Sequence, residues 1–158
     1  MGRMRQFNLG INMKPIVRPL NAHDRAEWAN MWAQYLNFYD SAVTPEIYNL
    51  TFARLIDVTH KTQNCLVAEL DSSLVGLVHF IYHPHNWQVE DVCYLQDLFV
   101  IPNKRGQGIG GTLIKEVYAM ADSNKTPSVY WMTQSFNANA RILYDKVANL
   151  TQFIKYSR

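Results

Sequence analysis

Cysteine is scarce in this chain: Cys65 and Cys93 are the two in 158 residues. Two thiols exclude a disulfide scaffold and a four-thiolate metal site. Both sit in apolar runs, which points to buried free thiols and a reducing, cytoplasmic setting. Long hydrophobic runs are also missing. The longest candidate, Leu74–Tyr82, is about half a membrane span and carries Gly76 and His79, so no membrane segment is expected. No Pro/Gly/Ser-rich linker divides the chain, and neither a repeat nor a low-complexity tract is present. Lys/Arg clusters with interleaved aromatics are absent, which leaves nucleic-acid binding without support. Residues 1–13 hold Arg3 and Arg5 but no apolar stretch of the kind a targeting peptide needs. A loosely ordered extension at 1–13 and one domain at 14–158 are expected.

What is present is a collapsing composition. Hydrophobic residues make up 48% and aromatics 13%, with a net charge of only +2. That charge is unevenly spread. Residues 1–18 carry four basic side chains and no acid. Residues 19–97 carry ten acids against three bases, a net −7, and residues 98–158 carry a net +5. A basic half suits a phosphate-bearing ligand and an acidic half a cationic one, although an unevenly charged solvated surface gives the same count.

Hydrophobic periodicity sets the element order. Pro15–Leu20 reads as a strand, and Asn21 with Asp24 as a relative of the capping box. Trp28, Trp32, Tyr35, Leu36 and Tyr39 then form one helical face. Thr44-Pro45-Glu46 opens a second helix, with a capping hydroxyl ahead of a proline at the first helical position, running to about Asp57. Asn64–Leu70 and Leu74–Tyr82 form a hairpin around Asp71-Ser72-Ser73. Val92–Ile101 is the strongest strand, stopped by Pro102. A helix from Gly108 to about Ala121, a strand at Ser128–Gln134, a helix marked by Ala140, Leu143, Tyr144 and Val147, and a last strand at Thr151–Tyr156 complete a mixed α/β order.

Arg105-Gly106-Gln107-Gly108-Ile109-Gly110-Gly111 joins the strongest strand to a helix. Glycines let the backbone turn tightly and converge its N–H groups, and the helix N-terminus adds a positive dipole. The product is a site for a phosphate or pyrophosphate. Gly106, Gly108 and Gly111 satisfy the dinucleotide fingerprint, but no acid lies between Asp122 and Asp145 to hold the ribose, and no Gly-Lys-Ser/Thr ends the loop as in a P-loop. The other register, Arg105-x-x-Gly108-x-Gly110, resembles the acetyl-CoA signature of the GCN5-related N-acetyltransferase (GNAT) superfamily. The resemblance extends to Tyr94-Leu-Gln-Asp-Leu-Phe-Val100, similar to the family's fourth strand, and to Asn137, Ala140, Leu143 and Tyr144, similar to its N-x-x-A-x-x-L-Y helix. Trp87, the 94–100 strand and Val129-Tyr-Trp131 look most like the branch of fungal histone, polyamine and D-amino-acid acetyltransferases and the polyamine acetyltransferases.

The resemblance implies a single GNAT domain with a mixed, mostly antiparallel sheet, flanked by helices and splayed at the cofactor strand. It implies acetyl-CoA as co-substrate, no metal, and direct transfer to a primary amine of a small, cationic acceptor such as a polyamine or amino acid. A protein-lysine acetyltransferase and a non-catalytic acyl-CoA binder are the alternatives. The glycine loop (Arg105, Gly106, Gln107, Gly108, Ile109, Gly110, Gly111) would hold the pyrophosphate. Backbone groups of Leu98, Phe99 and Val100 and the Asn137 side chain would hold the pantetheine arm, and one backbone N–H would stabilise the oxyanion. Tyr144 would be the general acid. In the polyamine branch a glutamate matches Gln96, which itself cannot take a proton. Asp97 is the neighbouring carboxylate, though strand alternation points it away from Gln96. His79 is a candidate base near neutral pH or a hydrogen-bonded core histidine. A water chain ordered by Gln96 is a further route. Tyr35, Tyr39 and Trp87 are candidates for lining the acceptor groove through cation–π contact. His83-Pro84-His85 lacks a supporting carboxylate or thiol for a metal. The chain stops short of the extra strand usual in the fold, and relatives associate through that end, so a homodimer is expected.

Overall fold

A computed structural model describes residues 14–158; the extension expected at 1–13 lies outside them. The sheet is built around the hairpin of β2 (Gln63–Leu70) and β3 (Ser73–His83). Its two turn residues, Asp71 and Ser72, both adopt left-handed backbone (φ 51° and 62°), the geometry that matches the twist of a two-residue hairpin. β1 (Ile16–Pro19) pairs antiparallel with β2, and β4 (Val92–Val100) antiparallel with β3. β5 (Val129–Tyr130) adds to β4 in parallel, so the five strands lie in sequence order.

Helices cover both faces. α1 (Arg25–Phe38) and α2 (Pro45–Ile56) cover one, burying Trp28, Met31, Trp32 and Phe52 against Cys65, Val67, Leu77 and Phe99. α3 (Ile109–Ser123) covers the other, packing Ile109, Leu113, Ile114 and Val117 on Leu66, Val78, Phe80 and Leu95, and α4 (Ala138–Val147) flanks it. A single 3-10 turn at Ala22–Asp24 leads into α1. Here the expected capping box forms: Asn21 accepts from the His23 N–H, and Asp24 accepts from the Asn21 N–H at 2.8 Å. Arg18 ties this corner together by bonding both Asp24 and Glu69. At α2, Thr44 takes the N-cap position before Pro45, but its hydroxyl makes no capping bond.

Three expectations are corrected. The strand read at Ser128–Gln134 shrinks to Val129–Tyr130, because β5 meets β4 only at Cys93 and Tyr94 and then parts from it. The strand read at Thr151–Tyr156 does not form. Its only available neighbour, β5, is two residues long, and Leu150, Phe153, Ile154 and Tyr156 stand 74–88% exposed with no face to cover. The alternation across Gln96 and Asp97 is broken. Asp97 pairs with His79 and Leu95 with Phe80, so Gln96 is the extra residue of a β-bulge. Beyond the bulge the strand reverses its faces: Leu95 points to the α3 layer, Asp97 and Phe99 to the α1 layer.

Candidate active site

The parting of β4 and β5 decides where chemistry can occur. From Leu95 to Val100 the outer edge of β4 has no strand partner. Apart from the Val100 carbonyl, which accepts from Arg105, the outward backbone groups there have no strand partner among the described residues. Leu98 and Val100 are half-buried and pack toward α3, whereas the Phe99 side chain is buried on the α1 side and its carbonyl lies against Gly76 of β3.

The glycine loop sits at the end of that edge. Gly106 and Gly108 have φ of 75° and 81°, conformations that favour glycine. Gly108 is the N-cap of α3, and the side chain of Ile109 is buried beneath the helix start. Gln107 and Gly108 are exposed. Arg105 folds back so that its Nε donates to the Val100 carbonyl at 2.9 Å, its guanidinium 5.6 Å from the Phe99 ring. A Cβ at Gly110 would stand 3.3 Å from Leu143, and one at Gly111 3.4 Å, so these two glycines let α4 approach the first turn of α3. Converging N–H groups, a helix N-terminus and an adjacent arginine fit a pyrophosphate, and the unpaired β4 edge fits an amide-bearing arm laid along it. Asn137 stands just before α4, half-buried, its Nδ2 donating to Thr133 Oγ1 at 3.2 Å.

Tyr144 projects from α4 toward the opening. Its ring lies 5.4 Å from Trp131. Burial, with a smaller contribution from Tyr39, pushes its phenol up to about 12. Tyr35 of α1 and Tyr39, the residue just past the end of α1, pack together at 5.1 Å. The Tyr35 phenol is held protonated far above its ordinary range, first by burial and then by the Asp97 carboxylate, with Tyr39 and Tyr144 adding to it.

A cavity of about 200 Å³ opens between α1, α2 and strands β2–β4. Trp32, Val43, Ile47, Leu55, Phe80 and Ile81 make apolar walls; Thr51, Gln63, Asn64 and Gln96 are its neutral polar groups. His79 and Asp97 lie at its base. Of the ten acids in the negatively charged segment, Asp97 is the one that lines it. The bulge is the reason Gln96 and Asp97 share this cavity. Asp97 is buried and its Oδ2 accepts two bonds, from His79 Nδ1 at 2.8 Å and Trp32 Nε1 at 3.2 Å. His79 is itself buried, and its Nε2 accepts from Trp28 Nε1 at 2.9 Å. With both ring nitrogens engaged, His79 has no lone pair to offer an acceptor amine, so of the two readings of His79 the structure supports the core histidine. Trp87 is also corrected: it is 86% exposed in the β3–β4 connection, packs on His85 and lines neither cavity, because that loop leaves the end of the sheet. A larger cavity of about 350 Å³ beside Glu27, Asn30, Gln34 and Asn103 contains none of the predicted site residues. The sequence reading missed the indole N–H groups of Trp28 and Trp32 as polar partners. Apolar periodicity marked both as core, and their bonds reach 51 and 65 residues along the chain.

Comparison with known proteins agrees with this geometry. Residues 26–149 match the model of the acetyltransferase (GNAT) family. The chain is 36% identical over 149 residues to the D-amino-acid N-acetyltransferase HPA3 of Saccharomyces cerevisiae, covering 94% of this chain and 92% of that one. It is 44% identical over 68 residues to the thialysine N-epsilon-acetyltransferase of Mus musculus, a match covering 37% of this chain and 38% of that one. Its fold superposes with a TM-score of 0.80 on the aminoglycoside acetyltransferase AAC(6')-Iy in complex with a CoA bisubstrate analogue, at 15% identity over 92% of this chain and 98% of that one. A glycine loop at a helix start, a cofactor strand freed from its neighbour, and a family match that spans both identify the chain as an N-acetyltransferase belonging to the GNAT family.

Proposed function

We propose that this enzyme transfers acetyl from acetyl-CoA directly to the primary amine of a small cationic acceptor, bound with its ammonium toward Asp97. The observation that carries this is the cavity at the β4 bulge, which is small, walled by apolar side chains, and has Asp97 as its one acid among the described residues. Its size favours a small molecule over a protein segment. The relatives' names point the same way, since D-amino acids and thialysine are small amines.

When bound, acetyl-CoA supplies the acetyl group as a thioester. The glycine loop and the α3 N-terminus hold the pyrophosphate, with the remaining guanidinium nitrogens of Arg105 beside them. The free edge of β4 at Leu98–Val100 and the Asn137 side chain hold the arm. The Asp97 carboxylate, held through Oδ2 by His79 and Trp32 and with the Tyr35 phenol beside it, receives the acceptor ammonium. The Gln96 amide, exposed at the bulge, orders the water through which the ammonium gives up its proton, since only the free amine attacks. Tyr144 donates its phenolic proton to the departing sulfur as the C–N bond forms and the C–S bond breaks, and the proton that the nitrogen sheds in becoming a neutral amide returns the phenolate to its phenol. A phenol near 12 is fully protonated at neutral pH and ready for that step.

The test is thiol release from acetyl-CoA across a panel of polyamines, D- and L-amino acids and a basic peptide. Turnover with one or more of the small amines supports the reading. Turnover with the peptide alone, or none with any member, overturns it.

We further propose a homodimer formed through the C-terminal segment. Leu150, Phe153, Ile154 and Tyr156 are exposed apolar side chains, and β5 leaves an open sheet edge beside them. A reducing, cytoplasmic compartment suits two buried thiols, of which burial raises Cys93 to about 12. No helix among the described residues is long and apolar enough to cross a membrane.

A further inference from the structure

We infer that His79 is a positioning residue for acceptor binding: it holds the Asp97 carboxylate in place for the ammonium, and Trp28 dictates which ring nitrogen carries the proton. The inference rests on the reading of Asp97 just given.

An indole N–H can only donate. Trp28 Nε1 stands 2.9 Å from His79 Nε2, so Nε2 must be the accepting nitrogen. The ring proton therefore sits on Nδ1 and is donated to Asp97 Oδ2 at 2.8 Å. Trp32 Nε1 donates to the same oxygen. Two donors on Oδ2 hold the carboxylate, with the Tyr35 phenol beside it, where it lines the cavity. Trp28, Trp32, His79 and Asp97 are 0–8% exposed, so water does not compete for these bonds. The relay joins α1 to β3 and β3 to β4 at the bulge, where a carboxylate needs a fixed direction.

The arrangement also fixes the tautomer: a proton on Nε2 would set N–H against N–H at Trp28. Packed around the cluster are Arg25, 5.4 Å from the Trp28 ring, Tyr35 on α1, Tyr39 just past its end, Tyr48 on α2, Cys65 on β2 paired with His79, and Tyr144 on α4. Asp24 is within electrostatic range of Cys65 but is paired with Arg18. Burial keeps Tyr35 and Cys65 protonated. Asp97 is thus the carboxylate of this cluster that faces the cavity.

The experiment compares full-length wild type, His79→Leu, His79→Asn and Trp28→Phe, each verified as folded by circular dichroism. The substrate is the amine of the panel with the highest wild-type turnover. Asn can place an amide N–H where Nδ1–H stands; Leu cannot. His79→Leu should lower kcat/KM for the amine about tenfold or more, the scale of one hydrogen bond to a charged group, with KM for acetyl-CoA unchanged. His79→Asn should recover most of that loss. Long-range ¹H–¹⁵N spectra should show the Nδ1–H tautomer of His79 in wild type and a mixture of tautomers in Trp28→Phe, which lacks the indole donor. Equal losses for amine and acetyl-CoA, an Asn variant as poor as Leu, or an Nε2–H tautomer in wild type would each overturn the inference. Should Trp28→Phe fail to fold, the Leu–Asn pair and the wild-type spectra still decide it. If wild type acetylates no amine, the function reading fails, and the spectra alone judge whether Trp28 dictates the tautomer.

Discussion

Tyr144→Phe separates the chemistry from the packing. The ring contact with Trp131 at 5.4 Å survives the substitution, and no described group bonds the phenol oxygen. Stability near neutral pH should therefore change by less than about 1 kcal/mol. Turnover should fall by about 10²–10⁴, the usual contribution of a positioned acid and equivalent to roughly 3–5 kcal/mol of barrier. Acetyl-CoA affinity, held by the loop and the β4 edge, should not change. Thiol release at saturating amine gives kcat, and calorimetry gives the affinity. The raised phenol adds a second signature. Because its folded value of about 12 exceeds the ordinary 10, its stabilisation is complete below pH 10 and is lost as pH rises from 10 through 12. Between pH 8 and 10.5 wild type should lose about 0.8 kcal/mol more than the Phe variant, read by denaturant titration at both pH values. A kcat within threefold of wild type would refute the acid role. A constant stability gap would refute the burial argument.

Gly108→Ala meets no atom within 4 Å of its new Cβ, so its cost is the left-handed backbone alone, about 1–2 kcal/mol. It should weaken acetyl-CoA binding in calorimetry; unchanged affinity would remove the loop from the pyrophosphate site. Arg18 holds Asp24 below the ordinary carboxylate range through a direct hydrogen bond. That stabilisation is present above about pH 4 and is lost as pH falls through the lowered folded value. Arg18→Met should therefore move the acid-unfolding midpoint, followed by circular dichroism, to higher pH. Removing residues 150–158 should convert a dimer to a monomer in light scattering; a wild-type monomer at micromolar concentration would sink the dimer.

The glycine loop was legible because its chemistry is local: positive φ at Gly106 and Gly108 and a helix beginning at Ile109 are dictated by neighbours in sequence. Helix faces and hairpin were legible for the same reason, since periods of 3.6 and 2 report which side of an element is buried. The spacing from Asn137 to Tyr144 likewise lies within one helix and its cap. The cavity at the β4 bulge was not legible. It depends on one unpaired residue, Gln96, which turns Asp97 toward α1, and a bulge is set by how β3 and β4 align, not by the order of residues in β4. The two tryptophans read as core, as they are. Only packing brought their N–H groups to His79 and Asp97. The final strand failed for a related reason: apolar residues at 150–156 announce a surface to be buried, and strand geometry follows only where a ladder partner exists. Sequence determined the elements and the shape of the glycine loop, whose forces act over a few residues. Tertiary structure decided the direction of the carboxylate and the proton position on His79, because those depend on groups that folding alone brings within 3 Å.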